Sequence, residues 1–326
     1  MRILTVRAAS ALVSLTLILA LALGPATAAP RIRLSIVTGG TGGVYFVLGG
    51  ALAKLISATF PNVEATAEVT SASVDNMRLI GAKRADLAFT LADTALDAVK
   101  GVESFRGNPV PAVTLTPIYN NNNHLVTIEG TGINTPADLK GKRVSVGSPG
   151  SGTEVTALRI LEAAGINPDR DIRKDRLGVA QSVDALRDKK IDAFFWSGGL
   201  PTSAILDLAA TPGIRMKLIP LDSVLPAMQK KYGNVYFKIV IGKVWYPGMA
   251  ADVPTIGVVN LIVVHKDFDA DLAYLITKLI YEKRPELAQV HQEAANITLV
   301  DLAQRAILPV HPGAARYYKE RAVTGF

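Results

Sequence analysis

Thr38-Gly39-Gly40-Thr41-Gly42-Gly43-Val44-Tyr45 ends an apolar, strand-like run at 33–37 and opens a segment with Val44, Leu48, Leu52 and Leu55 on one helical face. Further along, Gly147-Ser148-Pro149-Gly150-Ser151-Gly152-Thr153-Glu154 repeats the arrangement, between a strand at 143–146 and a helix with Val155, Leu158 and Leu161 inward. The first N–H groups of a helix lack intrahelical partners and carry a partial positive charge, so they hold an anion without a cationic side chain. Two such starts suggest a small carboxylate or phosphate gripped from both sides. The glycines alone would also serve as tight strand-to-helix connections. Hydroxyls among them, at Thr41, Ser148, Ser151 and Thr153, tilt the reading toward binding.

Outward from these turns, strand and helix alternate. Strands are expected at 63–69, 86–90, 191–196 and 215–219, and helices at 71–83, 92–100, 182–189 and 201–210. The runs 112–119 and 124–128 read as an extended pair joined by the asparagine tract 120–123. Thr135-Pro136-Ala137-Asp138 carries an N-cap, a proline at the first helical position and an acid at the third. The apolar run 255–265 reads as a return crossing, followed by helices at 271–282 and 285–294. Such alternation predicts an α/β protein of two similar lobes, with parallel sheets covered by helices on both faces. Ligands of open α/β sheets bind beyond the carboxyl ends of the strands, where both glycine turns would lie.

The chain begins with the marks of export. Arg2 and Arg7 precede the run 11–23, which only Ser14 and Thr16 interrupt, and Ala26-Thr27-Ala28 supplies small residues for cleavage after Ala28. That run is shorter than the roughly 20 residues a membrane span needs. The absence of cysteine excludes a lipid-anchored form, disulfides and thiolate chemistry. The mature chain is thus expected in the periplasm. Loss of two arginines lowers the net charge from +7 to +5, that is 33 basic minus 28 acidic residues. The basic residues are dispersed and aromatics few, which disfavours a nucleic-acid surface and is compatible with weak attraction of small anions.

Catalytic and cofactor motifs do not fit. A phosphate loop needs lysine and Ser/Thr after its last glycine, where Val44-Tyr45 and Thr153-Glu154 stand. A dinucleotide fingerprint would put glycine at Tyr45, and no G-x-S-x-G elbow occurs. His124, His265, His291 and His311 show no metal-ligand spacing and none is near Ser151 in sequence, so neither metal, cofactor nor catalytic set is expected. His311, beside Pro312-Gly313, reads as a turn residue.

The run TGGTGGVYFVLGGALAKL resembles the opening of the solute-binding proteins of TAXI-type TRAP transporters. SASVDNMRLIGAKRADLAF, ADLKGKRVSVGSPGSGTE, KKIDAFFWSGGLP and HPGAARYYKE follow in that family's order, from Arg31 to the C-terminus. The resemblance implies a type II periplasmic-binding-protein fold: a signal peptide at 1–28, a first lobe from 29–118 and 258–326, a second lobe at 119–257, and two crossing strands between them. It implies a monomer that closes on a small organic anion, such as a dicarboxylate, an oxo-acid or glutamate, and serves a sodium-driven permease with fused small and large subunits. By position, the ligand site would comprise Thr41, Gly43 and Tyr45, Ser73 and Asn76, Asp93, Ser151, Gly152 and Thr153, with Gly198, Gly199 and Tyr246 near the mouth. This chain departs from the family where its Q-S-D element reads Leu91-Ala92-Asp93 and its Tyr-Pro reads Phe46-Val47. The loss of two polar groups predicts a ligand with fewer hydrogen-bonding substituents than glutamate. An exported enzyme on this fold, and a ligand sensor docking to a membrane receptor, are the alternatives.

Overall fold

The computed structural model describes residues 31–325; the leader and the cut after Ala28 lie outside them. The chain opens with β1 (Ile32–Val37), α1 (Val44–Thr59), β2 (Val63–Glu68), α2 (Ser73–Gly81), β3 (Leu87–Leu91) and α3 (Ala92–Lys100). Next come β4 (Ala112–Ile128), β5 (Arg143–Ser145), α4 (Gly152–Ala163), β6 (Arg173–Asp175), α5 (Val179–Arg187), β7 (Ala193–Gly198) and α6 (Ser203–Ala210). Then β8 (Met216–Leu218), α7 (Leu225–Tyr232), β9 (Tyr236–Ile241) and β10 (Val253–His265) lead to α8 (Ala270–Glu282), α9 (Arg284–Val290), α10 (Leu302–Ala306) and α11 (Pro312–Glu320).

The strands form one sheet in the order β2-β1-β3-β10-β4-β7-β5-β6, with β8 added to β4 and β9 to β10. The outer pairs β1–β3, β5–β6 and β5–β7 are parallel. The central strands run against their neighbours, so the sheet is mixed rather than purely parallel. β4 and β10 are the two crossing strands. β4 pairs with β10 through Ala112–Asn122 and with β7 through Asn122–Thr127. The asparagine tract does not interrupt it: 17 residues form one strand where two were expected. An isolated asparagine disfavours a strand, but here buried neighbours and hydrogen bonds outweigh propensity.

Burial explains the helices. α1 sets Val44, Leu48, Leu52 and Ile56 against the sheet, so Ile56 rather than Leu55 ends the buried stripe. α4 is rotated from the expected face: Thr156, Ala157, Ile160 and Leu161 are buried, while Val155 and Leu158 are half-buried. The rotation brings Arg159 inside, where it meets two carboxylates. Thr135 and Asp138 make the anticipated reciprocal cap, on a short 3-10 helix, Pro136–Leu139. One of the apolar clusters runs through the crossing strands, joining Val37 and Leu91 to Leu125 and Ile160. No helix among the described residues is long and apolar enough to cross a membrane.

A candidate ligand cleft between two glycine turns

The two turns face one cavity, with about 600 Å³ of empty space including its mouth. Four helix starts converge there: Gly43-Val44 of α1, Ala72-Ser73 of α2, Ser151-Gly152 of α4 and Gly178-Val179 of α5. Only Ser151 caps its own helix with a side chain, accepting from Glu154 N at 3.0 Å. The caps of α1, α2 and α5 are glycine, alanine and glycine, and make no side-chain cap hydrogen bond. The lining contains no Asp, Glu, Lys, Arg or His. The helix ends therefore supply a positive potential at the lining, offset in part by Asp75 and Glu154 in the first turns of α2 and α4.

Of the residues singled out by sequence, Gly43, Tyr45, Ser73, Ser151, Gly152, Thr153 and Gly198 line this cavity together. The other five sit outside its lining. Thr41 is exposed at the tip of the first turn. Asn76 is fully buried behind it and donates to the carbonyls of Thr38 (2.7 Å) and Phe89 (2.8 Å), tying α2 to β1 and β3. Gly199 packs against Tyr119 and Glu293. Tyr246 accepts from Thr202 N at 3.1 Å and bonds His124 Nε2 at 3.1 Å. Burial holds the His124 imidazole near 4, so it is neutral at neutral pH.

Asp93 lies one layer behind Leu91, turned from the cavity into a buried ionic cluster. It accepts from Tyr236 Oη (2.6 Å) and Thr156 Oγ1 (3.3 Å), and Arg159 stands 3.8 Å away. Arg159 also pairs with Asp97 at 2.5 Å, donates to Tyr236 and stacks on Tyr232, 4.1 Å from the ring centre. Burial pushes the Asp97 carboxyl up to about 6; Arg159 opposes this, and nearby Asp93 adds to it because two acids share one guanidinium. Leu91, one of the departures from the family pattern, lines the cavity, whereas Ala92 is buried in α3.

The floor of the cavity carries residues that neither turn announces. Trp196 is held by Thr202 at 2.8 Å, and its ring lies against Gly43. Tyr119 and Asn121 of β4 and Ser197 of β7 complete the floor. Their signal in the sequence is the alternation of strands β4 and β7, legible only once the asparagine tract is read as strand. The Tyr45 hydroxyl is buried, donates to Asn260 and receives from Ser73; burial and nearby Asp93 raise its ionisation well above the usual range. It acts as a neutral hydrogen-bonding group.

The two halves already touch across the cavity. Val74 N and Asp75 N of α2 donate to Gly150 O at 3.1 and 3.2 Å, so the second turn's carbonyl caps a helix of the opposite half. Ser203 Oγ, at the start of α6, donates to Gly42 O at 3.3 Å in return. Among the described residues no group of three or more His, Cys, Asp or Glu side chains is arranged to hold a metal.

Comparison with known proteins agrees with this architecture. The model of the NMT1-like family matches residues 36–321. A solved structure from Bordetella bronchiseptica RB50 is similar at 14% identity and TM-score 0.55, covering 90% of this chain and 98% of its own. The alkanesulfonate-binding protein SsuA of Xanthomonas axonopodis pv. citri, bound to MOPS, is similar at 18% identity and TM-score 0.47, covering 90% of this chain and 85% of its own. The periplasmic aliphatic sulphonate binding protein SsuA of Escherichia coli is similar at 15% identity and TM-score 0.45, covering 91% of this chain and 94% of its own. The chain, an α/β protein whose two crossing strands join its halves, is a member of the NMT1-like family.

Proposed function

We propose that this protein is an exported, non-enzymatic solute receptor that captures a small organic anion and hands it to a membrane permease of the TAXI-type TRAP class. The lobes are 29–118 with 258–326, and 119–257; these boundaries fall inside β4 and β10, as a hinge through the crossing strands requires. The observation that carries the reading is the convergence of four helix starts, from both lobes, on a cavity without a charged side chain.

Magnitudes limit what the dipoles do. A micromolar complex corresponds to about −8 kcal/mol. Each helix end contributes about 0.3–1 kcal/mol, and about 2 when partly buried. With α2 already capped by Gly150 O, the other three reach roughly 6 kcal/mol at most, before an association cost of about 4 kcal/mol or more. Hydroxyl and amide hydrogen bonds, and exclusion of water on closure, must add the rest. Tyr45, Tyr119, Trp196 and Leu91 offer apolar surface for the body of the ligand.

The same lining argues against an amino acid. An ammonium group would find no carboxylate, because Asp93 is committed to Arg159, Tyr236 and Thr156. The favoured ligands are a plain carboxylate, an oxo-acid or a sulfonate. Calorimetry of the mature protein with pentanoate, 2-oxopentanoate, butane-1-sulfonate, glutamate and glutamine tests this. Binding of at least one of the first three, at least tenfold tighter than glutamate or glutamine, is the expected result; the reverse order refutes the reading. Sodium-dependent uptake in vesicles containing the co-purified permease tests the transport assignment.

A further inference from the structure

Beneath the cavity a chain of side-chain hydrogen bonds crosses both hinge strands. Tyr45 Oη in the first lobe donates to Asn260 Oδ1 on β10. Asn260 Nδ2 donates to Asn121 Oδ1 on β4 at 3.0 Å, and Asn121 Nδ2 donates to Ser197 Oγ on β7 at 2.9 Å. Asn260 occupies a register shift in the β4–β10 ladder, between Val259 opposite Asn120 and Leu261 opposite Pro117. Such an irregularity re-aims a side chain. Asn260 is fully buried and lies outside the cavity lining.

The direction of this chain follows from one group that can only accept. Tyr119 O receives Asn260 Nδ2 at 3.1 Å, so the amide nitrogen must face that side and the amide oxygen must face Tyr45. The second Asn260 proton then goes to Asn121 Oδ1, which turns the Asn121 nitrogen to Ser197. Ser197 Oγ becomes an acceptor within the floor, which leaves its own proton to be donated elsewhere. Two further lining hydroxyls are placed alike: Thr153 Oγ1 accepts from Ser197 N at 3.2 Å, and Ser151 Oγ accepts from Glu154 N. All three residues are at most 8% exposed.

We infer that Asn260 is a specificity-determining positioning residue. Through Asn121 it fixes the proton of Ser197 toward the cavity, so that the floor presents donors and selects a head group rich in acceptors. A carboxylate or sulfonate satisfies several donors at once. A carboxamide of the same shape has one acceptor oxygen, and leaves buried donors unpaired. This inference rests on the oxyanion reading of the cleft.

Two experiments test it separately from that reading. Neutron diffraction from the deuterated parent protein locates the deuterons whether or not any anion binds. Deuterium on the Asn260 atom facing Tyr119 O, with the Ser197 deuteron directed into the cavity, is expected; a Ser197 deuteron on Asn121 overturns the inference. Calorimetry with pentanoate and pentanamide then compares the parent with Asn260→Leu. The parent's preference for pentanoate should fall at least tenfold in the variant, and an unchanged ratio overturns the assignment even if both affinities drop. Should Asn260→Leu fail to fold, or the parent bind neither probe, the neutron structure decides alone.

Discussion

The two glycine turns look alike as strings but are built for different tasks. In the second, Gly147 and Gly150 adopt φ of +100° and +79°, so the backbone itself demands glycine. That turn also caps itself: Ser151 serves Glu154 N, and Glu154 Oε2 accepts from Gly150 N at 3.0 Å. In the first turn no glycine has a positive φ among the described residues. Two of its glycines, like Gly150 and Gly152 of the second turn, make room for residues across the cleft. A Cβ on Gly42 would come within 3.2 Å of Val179, and one on Gly43 within 3.2 Å of Trp196. The second turn is therefore a self-capped element, while the first is a run of amides without a side-chain cap, held by close approach. Anion affinity should depend on each turn by a different route.

That contrast can be broken or sharpened by substitution, taken here from the largest expected effect. Gly152→Val should weaken binding of the tightest anion in the panel at least a hundredfold, a loss of about 2.7 kcal/mol. A Cβ there lies 2.6 Å from Leu91 Cδ1 and from Ser73 Oγ, across the cleft from the second turn. X-ray scattering should show an expanded, open particle with unchanged circular dichroism; a compact particle with parental affinity would separate the turn from closure. Ser151→Ala should cost about 1 kcal/mol of stability through the lost cap, and lower affinity several-fold through the lost hydroxyl. Denaturant titration beside calorimetry separates the two contributions. Thr41→Ala, at an exposed tip outside the lining, should change neither by more than about 0.5 kcal/mol. A clear loss of binding in Thr41→Ala would show that the first turn rearranges on the ligand.

The legible part of the fold was the part with strong periodicity. α3 coincides with the expected 92–100, and β1, β2 and β3 fall within one residue of expectation. β9 and α7 passed unread because their burial alternates with exposed lysines, Lys230, Lys231 and Lys238, and their apolar residues face the core singly. The rotation of α4 was equally hidden: Arg159 reads as a solvent-facing residue until Asp93 and Asp97 of α3 neutralise it. For the site, the turns and Ser73 were visible as motifs. Tyr119, Asn121, Trp196 and Ser197 were not, since a cleft floor is made of strand residues brought together from distant positions.

Asp93 marks the limit of carrying a motif across by position. The resemblance implies a place for it in the ligand site, but it stands in the first turn of α3, outside the cavity lining. Its direction is set by Arg159, Thr156 and Tyr236, all distant in the chain, together with its neighbour Thr94, whose N–H donates to Oδ1 at 2.7 Å. Those partners turn a polar anchor into part of the inter-lobe packing, which leaves the cleft free of charged side chains.

By itself the sequence determined the alternation of strands and helices, the glycine-opened helix starts and the apolar stripes that must be buried, because these depend on neighbours three or four residues apart. Only the tertiary structure decided which helix starts share a cavity, which way the floor's hydrogen bonds run and where Arg159 points. Those depend on groups meeting across two hinge strands, and hydrogen-bond direction and charge neutralisation are properties of the meeting partners.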